Sequence, residues 1–344
     1  MEKRAATIQD VASRAGVSIT TVSRVLNDTG YPMRPETKRR VLEAIEALDF
    51  RPNPLARGLL GKATRTIGLI IPDISNPYYP LLSRGVEDTA SEHGYTVIFC
   101  NTDRKLAKLR NYLEVLREKQ ADGIIFAGGG MDAEGDPLPL QEIESPVVLV
   151  GRHRLPFPSV QVDNIGAAHT ATTHLIELGH RRIAFVGGPN ALSSARDRLK
   201  GYRRAMEQAG IRPDESLIRE GDFGSESGYR AALSLIQEGS PRPTALFAAN
   251  DQMALGAMAA AFDLGVRVPD ELALVGFDDT PAGRYVRPSL TTVSLPTYEM
   301  GATAAQLLLK MLAGETITGA IGLPAHLVVR QSSGEPVTTT LIKP

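Results

Sequence analysis

The 344-residue sequence has one cysteine, no tryptophan and no apolar run long enough to span a bilayer. A lone Cys100 excludes an internal disulfide and every multi-cysteine metal site. The longest stretch without Asp, Glu, Lys or Arg is Thr316–Val329, 14 residues broken by Pro324 and His326, whereas a membrane helix needs roughly 20 apolar residues. Met1-Glu2-Lys3-Arg4 leads directly into a polar helix pattern, without the apolar core of a secretion signal. These absences point to the cytoplasm. Catalytic signatures are missing as well. Gly224-Ser225-Glu226-Ser227-Gly228 has glutamate where a nucleophile elbow needs serine. Gly128-Gly129-Gly130 lacks the Lys-Ser/Thr pair of a phosphate loop and reads as a turn. The six histidines contain no HExxH, and the adjacent Asp278 and Asp279 have no nucleophile or metal partner. No catalytic residue, metal or cofactor is expected.

A net charge of −1 hides an asymmetry: residues 1–66 carry 12 Lys and Arg against 7 Asp and Glu, so the rest is acidic. A small basic head on an acidic body implies that only the head meets a polyanion. Thr7 and Asp10 have the spacing of a capping box, followed by Ile8, Val11, Ala12 and Ala15 at helical period. Gly16 suits a left-handed turn and Ser18 a second cap. On the helix that follows, Val22, Val25 and Leu26 cluster on one side, and Thr20, Arg24 and Asn27 fall opposite. Donors and acceptors on an exposed helix face match base edges in a major groove, where Arg24 could fork onto guanine. Pro35 opens a third helix, and Arg51-Pro52-Asn53-Pro54 ends it.

From Thr66 onward short apolar runs alternate with helical periods. The runs are Ile67–Ile71, Thr96–Cys100, Gly123–Ala127, Val147–Val150, Ile183–Val186, Ala245–Ala248 and Leu272–Gly276, each the length of a strand buried on both faces. Helical patterns occupy Arg104–Lys119, Ile165–Leu178, Leu199–Ala209 and Asp251–Leu264. Such alternation predicts a doubly wound α/β architecture, and about 270 residues of it fit two similar lobes facing a cleft better than one sheet. Gln331–Pro344 has no heptad pattern and reads as a loose end, so a dimer is expected and not a dimer of dimers.

Residues 7–27 resemble, almost position by position, the helix-turn-helix of the LacI/GalR family of bacterial transcription regulators. The resemblance continues through Pro35-Glu36-Thr37. It implies operator contacts from Thr7, Ser18, Ile19, Thr20, Thr21, Ser23, Arg24 and Asn27. Pro52 to Leu60 resembles the family's hinge, which implies further contacts from Asn53, Leu55, Ala56, Arg57 and Leu59, the last wedged into a base step. The body resembles the same family's effector domain, of periplasmic-binding-protein-like fold, most specifically at Asp73–Tyr79, Val162–Asn164, Ala249–Ala254 and Gly276–Thr280.

The expected organisation is a helix-turn-helix domain over 1–50, a hinge over 51–65 and an effector-binding and dimerisation domain over 66–344. Its N-lobe covers about 66–162 and 291–321, its C-lobe about 163–290 and 322–335, with crossings near 163, 290 and 322. Ligands in such folds sit beyond the C-terminal ends of strands. Asn250 and Asp278 are acceptors there, Arg152 and Arg196 forked donors, and Phe223 and Tyr79 ring faces. With Asn76, these are the effector contacts the resemblance implies, whereas Asp163 and Asp251 read as helix caps. The expected function is a homodimeric repressor of double-stranded operator DNA, controlled by a sugar or sugar derivative. A purine-type corepressor, a solute-binding protein and docking of a phosphoprotein remain as alternatives.

Overall fold

The computed structural model describes residues 6–26, 32–50, 63–128, 139–238 and 241–334, and the chain divides into two units, Met1–Thr64 and Arg65–Pro344. The first holds α1 (Ile8–Ala15), α2 (Ile19–Leu26) and α3 (Pro35–Ala47). The capping box is present: the Thr7 amide donates to Asp10 Oδ2 at 2.7 Å and the Asp10 amide to Thr7 Oγ1 at 3.3 Å. Gly16 turns the chain at φ 64°, and Ser18 Oγ accepts from the Thr21 amide at 3.2 Å. Val11, Ala12, Ala15, Val22, Val25, Val41 and Ala44 form the core. With so little apolar volume, each cap is a large share of the stability, at about 1 kcal/mol apiece.

The second unit alternates strand and helix. Its first half runs β1 (Thr66–Ile71), α4 (Tyr78–Glu92), β2 (Thr96–Asn101), α5 (Leu106–Glu118), β3 (Gly123–Phe126), β4 (Val147–Val150) and β5 (Ser159–Val162). The second half runs α6 (Asn164–Glu177), β6 (Ile183–Gly187), α7 (Ser193–Gln208), β7 (Ile218–Glu220), α8 (Ser225–Gln237), β8 (Ala245–Ala248), α9 (Asp251–Asp263), β9 (Ala273–Asp278) and α10 (Ala282–Tyr285). The chain then closes with β10 (Thr291–Ser294), α11 (Thr297–Leu312), β11 (Ala320–Leu323) and β12 (His326–Val328). All seven apolar runs are strands.

Two six-stranded sheets result, β11-β5-β4-β3-β1-β2 and β12-β10-β9-β8-β6-β7. Each core repeats one doubly wound order, and the only antiparallel pairing among the described strands is β10 with β12. Strand faces alternate. Ile67, Leu69 and Ile71 of β1 pack with residues of α4 and α11, while Ile70 faces the α5 side with Leu109, Leu113 and Leu116.

The crossings differ from those expected. The first is at Asp163, but β10 belongs to the second sheet, so the chain crosses at about 295, and β11 holds the third back to about 324. Thr291–Ser294, expected in the N-lobe from the resemblance, is instead a strand of the second sheet whose Thr side chains are buried hydrogen-bonding groups. Nor is the whole tail loose. Gln331–Ser333 forms a buried turn in which Ser332 Oγ donates to the Leu274 carbonyl at 2.6 Å and Ser333 Oγ lies 3.0 Å from His174 Nε2.

The helical pattern Leu199–Ala209 covers only the later part of α7, which begins at Ser193. Among the helix pairs, α8 and α9 meet most closely at glycine. A Cβ on Gly256 would run into the Ser225 carbonyl oxygen, and one on Gly228 into the Met253 backbone. This contact fixes the loops that precede both helices, joined by Asn250 Nδ2 donating to the Phe223 carbonyl at 2.9 Å. Gly256→Ala should therefore destabilise the body by about 1–3 kcal/mol, seen as a lower urea midpoint with an unchanged slope.

Candidate functional site

In the first unit, Val22 and Val25 bury one side of α2 and leave Ile19, Thr20 and Arg24 exposed. Ile19 is 45% exposed, which leaves its side chain available to an external surface. The hydroxyls of Thr7, Ser18 and Thr21 serve the caps: Thr7 Oγ1 donates to Asp10 Oδ2 at 2.7 Å, and Ser18 and Thr21 share a 2.9 Å hydrogen bond. They hold the helix ends, and Thr20 and Arg24 remain as side chains suited to base edges. Ser23 is half-buried beside them. Asn27, Asn53, Leu55, Ala56, Arg57 and Leu59 lie outside the described residues.

In the second unit, a cavity of about 90 Å³ lies between the lobes, beyond the C-terminal ends of the strands. Asn76, Tyr79, Arg152, Phe223, Asn250 and Asp278 all line it, as expected. Arg196 does not. It sits on the outer side of α7, donating to the carbonyls of Asn190 and Ala191 at 2.8 and 2.7 Å. Two residues on, Arg198 takes the inward place, because α7 buries Ala195, Arg198, Tyr202 and Ala205 along one stripe.

Arg198 is the centre of the cleft floor. Its Nε donates to Asn164 Oδ1 at 2.9 Å, and one terminal nitrogen donates to the Ala249 carbonyl and lies 3.5 Å from Asp278 Oδ1. The guanidinium stacks over Phe277, 3.7 Å from the ring centroid. Burial pushes its pKa down, with Asp278 opposing, and pushes the Asp278 carboxyl up to about 7, with Arg198 opposing. Asn250 caps α9 through Oδ1, which accepts from the Met253 amide at 2.9 Å, so its carbonyl oxygen is committed to the fold. The expected acceptor role thus passes to Asp278. Asp163 caps α6 as expected. Asp251 is no cap but a buried anchor, accepting from the Thr280 amide at 2.6 Å and from Thr292 Oγ1 at 2.5 Å. Burial pushes it up to about 6 against those hydrogen bonds.

The lobes are latched shut. Arg152, just beyond β4, reaches Asp197 on α7 with both arms, Nε to Oδ2 at 2.7 Å and a terminal nitrogen to Oδ1 at 2.5 Å. Ser193 Oγ donates to the Arg152 carbonyl at 2.8 Å across the same gap. The cavity is smaller than the several hundred Å³ of a usual ligand pocket.

A model of the lacI family of bacterial regulatory proteins matches residues 7–53, and a periplasmic binding protein-like domain matches residues 172–333. The chain is 43% identical to catabolite control protein A of Priestia megaterium, over 95% of this chain and 99% of that one. The chain belongs to the lacI family. It is also 40% identical to the ribose operon repressor of Halalkalibacterium halodurans, over 95% and 97% of the two chains. A solved lac repressor dimer, bound to operator and the anti-inducer ONPF, superposes with a TM-score of 0.86 at 29% identity, covering 96% of this chain and 99% of that one. Among the described residues of this lacI-family regulator, no helix is long and apolar enough to cross a membrane.

Sequence reasoning missed Arg198, Tyr78, Asn164, Arg104 and the Asp197 partner of Arg152, all at the cleft. A helix start at Ser193 would have exposed the stripe that selects Arg198 over Arg196. Because burial pushes the Asp278 carboxyl up to about 7, a ligand that donates hydroxyls to the carboxylate must displace a proton at lower pH. Affinity should fall from pH 8 to pH 6, approaching tenfold per unit at the acid end. Titration calorimetry checks this, and Asp278→Asn should flatten the profile.

Proposed function

We propose that this chain is a homodimeric transcriptional repressor, acting in the cytoplasm, that reads a near-palindromic operator through two copies of α2 and responds to a sugar or sugar derivative held between its lobes. The observation that carries the reading is the cleft itself. A buried carboxylate and guanidinium, Asp278 and Arg198, lie beside the rings of Phe223 and Tyr79. That combination suits a ring with one apolar face and a hydroxyl edge. The relative named for the ribose operon and the operator-bound lac repressor dimer support the same reading. A purine gains less here. Tyr78 and Tyr79 meet edge to face at 88°, so these two neighbours do not themselves form a parallel stack for a flat base.

A ligand controls the operator only through a difference in affinity between two lobe arrangements. The Arg152–Asp197 latch offers that difference, because a ligand that competes for Arg152 opens it and one that bridges the lobes keeps it shut. The test starts from an operator selected from random duplexes by the full chain. Arg24→Ala should weaken binding by about 1–3 kcal/mol and relax preference at one base pair. Unchanged preference in a gel-shift panel would remove Arg24 from the reading face. Operator affinity indifferent to every sugar tried would remove the effector.

A further inference from the structure

Arg104 is the one cleft guanidinium that the fold does not use. Arg152 is paired with Asp197, and Arg198 is held by Asn164 and the Ala249 carbonyl with Asp278 at 3.5 Å. Arg104 lines the same cavity, yet among the described residues it makes no hydrogen bond or ion pair, and its Nε is buried without a partner. Only that Nε is enclosed; the residue is half-buried, and its terminal nitrogens are the arms open to a ligand in the cavity. The Asp222 carboxyl of the C-lobe, held below the ordinary carboxylate value first by its hydrogen bond to Ser227 and only last by the Arg104 charge, already accepts from the Gly224 amide at 2.7 Å and forms no ion pair with Arg104.

The backbone is arranged to keep Arg104 there. Asp103 and Arg104 both adopt left-handed conformations, at φ 50° and 55°, which β-carbon-bearing residues hold only where their surroundings impose them. The imposition is visible. Asp103 receives Lys108 Nζ at 2.5 Å and Asn101 Nδ2 at 2.6 Å, and Asn101 Oδ1 in turn accepts from the Ile74 amide at 2.8 Å. Two side chains and a strand end thus hold a strained turn whose product is a guanidinium directed at the cleft. An Arg with free arms and a fixed base matches the planar oxygens of a carboxylate or a phosphate.

We infer that the effector is an anionic monosaccharide, a sugar bearing a phosphate or a carboxylate, with its anion on Arg104 and its hydroxyls on Asp278. This rests on the sugar reading above and narrows it. Asp278 and Arg104 belong to opposite lobes, so such a ligand bridges the cleft and links its charge to the lobe arrangement.

The test titrates the full-length chain, Arg104→Gln and Arg104→Lys with glucose, ribose, glucose 6-phosphate, ribose 5-phosphate, glucuronate and inorganic phosphate, with circular dichroism to verify folding. The readout is the ratio of anionic to neutral affinity within each variant. At least one anionic sugar should bind wild type tenfold or more tightly than its neutral parent. Arg104→Gln should erase that ratio and Arg104→Lys should keep part of it. Glucose 6-phosphate and ribose 5-phosphate against glucuronate separate the two anion sources. A neutral sugar that binds as tightly as its anionic forms, with the ratio unmoved in Arg104→Gln, overturns the inference and leaves the sugar reading intact. Inorganic phosphate binding equally to wild type and Arg104→Gln, with no sugar preference, also overturns it. Binding of no sugar, neutral or charged, overturns the sugar reading and this inference together.

Discussion

The buried Arg198 guanidinium organises the C-lobe side of the cleft. A charge taken so far from water is tolerable only if several groups answer it at once, and four do: Asn164 at the head of α6, the Ala249 carbonyl beyond β8, Asp278 at the end of β9 and the ring of Phe277 beneath. They come from three segments, α6, the end of β8 and the end of β9, so the cation welds the ends of neighbouring elements into one floor. Breaking any partner would leave an uncompensated charge.

Strain concentrates around the same place. Of the eight non-glycine residues with positive φ among the described residues, Asp103, Arg104, Phe223, Asp278 and Asp279 lie at or beside the cleft. Such conformations cost of order 1–3 kcal/mol each, and each is held by identifiable bonds. Asp278 at φ 114° is followed by Asp279, which Arg330 and Arg284 clamp at 2.5 and 2.9 Å. Burial works to raise the Asp279 pKa, but those two cations hold it below the ordinary carboxylate value. Arg330 lies just past the third crossing, so the chain that returns from the N-lobe also secures the turn presenting Asp278. Ligand geometry and lobe connection therefore share one set of ion pairs.

Much of this was legible in advance. The helix-turn-helix follows from local chemistry, as capping residues, a turn glycine and a 3.6-residue stripe each act within a few positions of one another. The seven apolar strands announced themselves by composition, although β2, at the edge of its sheet, is largely unburied and not covered on both faces. What escaped were features with no local signal. The strand Thr291–Ser294 is polar because its threonines bond to Asp251, Ser333 and the Arg330 segment, 39 to 42 residues away in sequence. Asn250 read as a ligand acceptor, yet its oxygen caps α9 and its nitrogen ties down the Phe223 loop.

The sequence by itself determined a basic reading head, an α/β body and the segments that border its cleft, because periodicity, caps and strand ends are properties of neighbouring residues. Only the tertiary structure decided which charges are spent. Arg152, Arg196, Arg198 and Arg104 look alike in the sequence, but one latches the lobes, one faces outward, one is consumed by the floor and one is left over. The physical reason is that a guanidinium's role depends on the acceptors within about 3 Å of it, and here those acceptors come from remote strands and helices that meet only on folding.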